Sequence, residues 1–143
     1  MLNLYRDAKV VLAIAGAASA GTTLTGTVDT QDYEGVAFVG SIATQNAGNY
    51  AKAGGGAQSN GGDAADLAGT KSIPQNNGDS FLLDVYRPAQ RYVTVSVVRG
   101  ANTVTGDVYA ILYGAKKKPT TQGSTMTGVP ASGVVVSPAL GAP

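Results

Sequence analysis

The chain has 143 residues, no cysteine, no histidine and a single glutamate, Glu34. That excludes disulfides, thiol redox chemistry, Cys/His zinc sites, haem ligation by His or Cys, and any catalytic triad that uses histidine. Charged residues make up 13% of the chain and the net charge is +1, so no bulk attraction to nucleic acid or an anionic membrane is implied; 20 glycines and few aromatics point instead to short strands, turns and broad dry surfaces suited to assembly.

Residues Met1 to Gly21 resemble a secretory signal in outline: Arg6 and Lys9 precede the apolar run Val10 to Ala18, and Ala18-Ser-Ala20 has the small residues of a cleavage site. Asp7 inside the basic region argues against it, and the preferred reading is a buried first strand over Lys9 to Ala15. No apolar run is long enough to span a bilayer as a helix. Gly16 to Gly21 reads as a turn. Thr22 to Val28 reads as a strand with one exposed face, and Asp29 to Gly35 as a polar turn. Val36 to Ile42 is a strong strand pattern, with Val36 and Phe38 on one face. Asn49 to Ala53 is a weaker one.

The glycine-rich stretch 54–62 reads as a flexible or partner-ordered surface loop; it lacks the Gly-Lys-Ser/Thr ending of a phosphate cradle. Asp63 to Ala68 is expected to form one helical turn capped by Asp63. Ser80 to Tyr86 is a core strand halted by Arg87-Pro88, since proline has no N–H for a ladder. Arg91 to Val98 alternates cleanly, with Val93, Val95 and Val97 on one face. Arg99 to Asn102 is a turn and Asp107 to Tyr113 a further strand, and these last two strands are expected to pair as an antiparallel hairpin. No amphipathic helix of useful length is present. The pattern is all-β: an antiparallel β-sandwich, jelly roll or related Greek key over residues 1–118, followed by an extended Pro/Gly/Ser/Thr-rich tail over 119–143.

Few residues suggest chemistry. Asp29, Asp32 and Glu34 could form an oxygen cage for calcium, but their spacing does not match an EF-hand loop; the plainer reading is a solvated turn with Asp29 accepting from nearby N–H groups. Asp63 and Asp66 could be a pair for acid–base work, yet nothing marks a substrate cleft around them. No catalytic, cofactor-binding or metal-binding residue is therefore assigned, and an enzyme is not expected.

Candidate contact residues are clearer. Tyr86, Arg87, Arg91 and Tyr92 flank one proline corner and are of the types enriched at binding hot spots. Lys116, Lys117 and Lys118 form a compact basic run able to steer an acidic protein partner, though too small for nucleic acid. Tyr5 and Arg6 join this set. The tail, with its four prolines and the apolar run Val134, Val135 and Val136, is expected to strap across neighbouring subunits or add to a neighbour's sheet edge.

The segments Leu4-Tyr-Arg-Asp-Ala-Lys-Val10, Asp84-Val-Tyr-Arg-Pro88, Arg91-Tyr-Val93, Val97-Val-Arg-Gly100 and Tyr113-Gly-Ala-Lys-Lys-Lys-Pro119, together with Asp63-Ala-Ala-Asp-Leu-Ala-Gly69, resemble the capsid decoration or cement proteins of tailed phages, similar to those of short-tailed phages such as the Bordetella phage. The resemblance covers most of residues 1–119. It implies a β-sandwich or jelly roll made in the bacterial host cytoplasm and seated as a homo-oligomer, dimer or trimer, on the outside of the virion. There it would clamp neighbouring copies of the major capsid protein in an HK97-like shell. It implies no cofactor, no membrane and no nucleic-acid partner. The competing expectation, resting on the signal-like start, is a secreted or periplasmic β-sandwich binding module such as a carbohydrate binder or adhesin subunit.

Overall fold

The computed structural model describes residues 4–123. A single helical turn, α1 (Leu4–Asp7), precedes β1 (Lys9–Ile14), β2 (Ala17–Ala20), β3 (Leu24–Asp29), β4 (Gly35–Thr44), β5 (Tyr50–Gly56), β6 (Ala65–Asp66), β7 (Ser80–Tyr86), β8 (Tyr92–Val98), β9 (Thr103–Thr105) and β10 (Val108–Tyr113). The all-β sandwich expected from the sequence is what forms, with every pairing antiparallel.

Two of these breaks are bends in longer strands. Tyr109 lies opposite Val39 and Thr105 opposite Ile42, so β9 and β10 run as one ladder along β4. β1 and β2 follow the same ladder on its other side. At the bend the Asp107 carboxylate accepts the Gly16 N–H at 2.7 Å, pinning the two kinks together. With each bent pair counted once, one sheet has the order β1/β2, β9/β10, β4, β7 and the other β3, β8, β5, β6. In chain order these are strands one, eight, three and six facing two, seven, four and five, which is the jelly-roll arrangement.

The core lies between the sheets. Phe38, Ile42, Val36 and Val108 from the first sheet meet Val93, Val95 and Val97 from the second, all fully buried. Each such valine contributes roughly 1.5–3 kcal/mol by leaving water. Where β3 crosses β1 the sheets approach so closely that a Cβ on Gly26 would overlap the Ala13 carbonyl oxygen, so only glycine fits.

Several local expectations change. β8 and β10 do not form a hairpin: β8 pairs with β3 and β5, and β10 with β1 and β4. The Arg99–Asn102 turn carries the chain across to the other sheet because the Arg99 guanidinium is buried at that end, donating to the carbonyls of Thr22 at 2.7 Å and Ala18 at 2.9 Å. The turn expected over Gly16 to Gly21 contains β2, and β1 is only half-buried, as suits an edge strand.

The glycine stretch is not a free loop. Gly54 to Gly56 complete β5 and are buried, and the rest folds over the outer face of the second sheet beside Thr27 and Thr94. Asp63 caps no helix. Its carboxylate reaches back to the N–H groups of Ala57 and Gln58 at 2.8 and 3.0 Å, and the segment after it forms the short strand β6.

The folded body also continues past residue 118. Thr120 N–H donates to the Arg6 carbonyl at 3.0 Å, Gly123 N–H to the Val10 carbonyl at 3.1 Å, and Val10 N–H to Gln122 Oε1 at 3.0 Å. These bonds fill the edge of β1 that faces away from β10.

Candidate functional site at one end of the sandwich

The antiparallel ladder brings the start of β1, β4 and β8 and the end of β3, β7 and β10 to one end of the molecule. The connections there are α1, the turn 30–34, the loop 57–64 after β5, the corner 87–91 and the exit 114–119. Arg6, Lys9, Arg87, Arg91, Lys116, Lys117 and Lys118, seven of the ten basic residues, therefore gather at this end. The acids among them are Asp7, Asp29, Asp32, Glu34 and Asp63. At the opposite end the turns Gln45 to Asn49 and Gly100 to Asn102 carry no charged side chain; Asp79 and the buried Arg99 are the charges beside them.

Three of the contact residues singled out from sequence, Arg87, Arg91 and Lys116, line one open polar pocket of about 430 Å³, together with Gln31, Tyr33 and Glu34. Arg87 adopts a left-handed backbone (φ 48°), and its N–H donates to the Glu34 carbonyl at 2.7 Å. That contact fixes the corner to the neighbouring turn and leaves the guanidinium over the Tyr86 ring, 5.1 Å from its centre. Tyr86 itself is 57% exposed. Arg91 stacks on Tyr92 at the same distance and forms a forked pair with Asp29, Nη2 to Oδ2 at 2.7 Å and Nε to Oδ1 at 3.1 Å. The Arg91 bonds hold the Asp29 carboxyl below its ordinary range. Lys116 Nζ donates to the Gln31 carbonyl at 3.1 Å, and Lys118 pairs with the largely buried Asp7 at 3.0 Å. Tyr5 sits on α1 beside this pair, its carbonyl taking the Thr120 hydroxyl at 3.2 Å.

The acidic turn is thus the counterpart of the basic corner. Asp29 is committed to Arg91 and to the Gln31 N–H at 3.0 Å, and among the described residues no three carboxylates converge as a metal cage. Asp63 and Asp66 do not converge on a common point of chemistry either: Asp63 ties the 57–58 turn, and Asp66 pairs with Lys52 at 2.6 Å. Val134, Val135 and Val136 lie outside the described residues.

A second surface escaped the sequence reading. On the outside of the first sheet, Leu12, Tyr109, Val39 and Leu82 stand in one row across four strands, followed by Val10, Ile111 and Ala37 in the next. Leu82 is 65% exposed. The outer face of the second sheet carries Thr25, Ser96 and Lys52 in the equivalent row. The signal was present in β7, where Leu82 and Tyr86 fall on the face opposite Phe81, Leu83 and Val85. Compared with known proteins, the chain matches no family model and no curated sequence.

Proposed function

We propose that the chain is a structural virion protein, a capsid decoration or cement protein that binds the outside of a tailed-phage head as a homo-oligomer and clamps neighbouring capsomers. One observation carries this reading. Four of the six stretches that resemble such proteins, Leu4 to Val10, Asp84 to Pro88, Arg91 to Val93 and Tyr113 to Pro119, are distant in sequence yet form one cation-rich end of the jelly roll, while Val97 to Gly100 lies at the other end and Asp63 to Gly69 runs beside β5. Cations gathered on one tip orient the molecule on an acidic protein surface and speed its encounter. A protein that binds only the assembled shell stabilises it by mass action, and an oligomer touching several capsomers adds avidity. The pairing of β1 and β2 into the first sheet weighs against the secreted alternative, because cleavage near Ala20 would strip an edge from the sandwich.

The experiment is decoration in vitro. Heads purified from a phage lacking this chain are mixed with the purified protein and imaged by cryo-electron microscopy. The expected result is density on the outer surface and greater resistance of the heads to heat. Lys116→Glu/Lys117→Glu/Lys118→Glu is expected to lower occupancy, most visibly at low salt. Undecorated heads at saturating protein would overturn the proposal.

A further inference from the structure

The two margins of the first sheet are treated differently. The outward edge of β1 is occupied at Val10 by Gln122 and Gly123. Among the described residues nothing pairs with the outward edge of β7. Arg87 N–H donates to the Glu34 carbonyl and Ile42 N–H to the Asp79 carbonyl, which fixes the phase of the β4–β7 ladder. Phe81, Leu83 and Val85 therefore turn their backbone groups toward β4, while Ser80, Leu82, Asp84 and Tyr86 turn theirs away from it. Among the described residues none of those outward backbone groups has a hydrogen-bond partner. The strand is seven residues long and has no lysine, no proline and no bulge to protect its edge; its one charged side chain is Asp84.

We propose that this edge is the contact between two copies of the chain, β7 against β7 of a second copy, antiparallel around a two-fold axis through Leu83. The strand is self-complementary in that register. Ser80 would stand opposite the partner's Tyr86, small against large, and Leu82 opposite the partner's Asp84. The only charged side chain on the strand then meets an aliphatic one instead of its own copy. Asp84 is already engaged, accepting the Tyr113 hydroxyl at 2.6 Å. Full overlap joins four outward residues of each strand through about eight backbone hydrogen bonds. It also sets the apolar row Leu12, Tyr109, Val39, Leu82 end to end with the row Asp84, Ala37, Ile111, Val10 of the second copy, so the two outer faces join with one carboxylate at the seam. The contact is isologous, as a closed dimer requires. It deepens the homo-oligomer part of the proposed function, but its test uses the purified full chain without heads, so the two can fail separately.

Sedimentation equilibrium between about 1 and 100 μM reads the dimer constant, and circular dichroism reads the fold. Leu82→Pro removes an N–H that β4 does not use and should weaken dimerisation at least about tenfold while the sandwich stays folded. Leu82→Asp sets a carboxylate against the partner's Asp84 and should weaken it similarly, whether or not the proline variant folds. Leu82→Asp/Asp84→Lys restores opposite charges across the axis and should recover most of the affinity. A monomeric wild-type chain over the whole range, a Leu82→Asp variant that dimerises like wild type, or a double variant no better than Leu82→Asp would each overturn the proposal.

Discussion

Asn49 organises the end of the sandwich opposite the basic tip with one amide. Its side chain is 1% exposed, and its Oδ1 accepts the Gly100 N–H at 2.6 Å and the buried Thr103 hydroxyl at 2.8 Å, while Nδ2 donates to Gln45 at 3.0 Å. Asn49→Leu leaves two buried donors without an acceptor. Each orphaned group costs about 1–3 kcal/mol, so a loss of about 2–4 kcal/mol is expected from urea unfolding, with Thr103→Val recovering part of it. A loss under about 0.5 kcal/mol would show that the amide is not the organiser. Nothing in the sequence distinguishes Asn49 from any polar residue at a strand start, because the two donors that its Oδ1 accepts lie more than fifty positions away. Arg99 is similar. Its local sequence reads as a turn, and only the packing of Thr22 and Ala18 around it makes it an anchor.

The strands were legible where alternation of β-branched and small residues sets one face against the other: Ser80–Tyr86 was placed residue for residue, and Tyr92–Val98 within one. Short or glycine-rich elements were not. β2 and β9 are too brief to show a period, and Gly54 to Gly56 carry no side-chain pattern, Gly54 and Gly56 being glycine because neighbouring groups sit where a side chain would be. The start of the tail was also misjudged. Thr120, Gln122 and Gly123 act as an edge cover for β1, so a strap across neighbours could begin only after Gly123. Removing residues 124–143 should leave the melting temperature of the body within a few degrees. Removing 120–143 should lower it further and increase aggregation, because the β1 edge is uncovered. Equal melting curves for the two truncations would contradict this role.

At the scale of the molecule, the fold class followed from the sequence but the partnership of strands did not. A jelly roll pairs its first strand with its last, and no local turn encodes that. The expected hairpin between β8 and β10 failed for this reason. The gathering of basic residues at one end became visible only once the ladder had aligned the strand ends. The chain's acid–base behaviour is a property of the same layout. With no histidine, no side chain ordinarily titrates between about pH 5 and 8, so the melting temperature should be flat there. Asp29 is held below 3.8 mainly by Arg91, Asp63 by the N–H groups of Ala57 and Gln58, and Asp79 by those of Asn76 and Gln75. Their contribution is fully present above the unfolded carboxyl value and is lost as the pH falls through the lower folded values. Melting should therefore decline below about pH 4, less steeply in Asp63→Asn. A decline beginning near pH 6 would point to a different group.

The bonds from Gln122 and Gly123 to Val10 have one further effect. A sheet with two raw margins can recruit copies without limit and grow into a filament. Here the chain's own residues take up Val10 on one margin, so under the proposed β7–β7 contact further growth along this sheet meets an obstruction at that point.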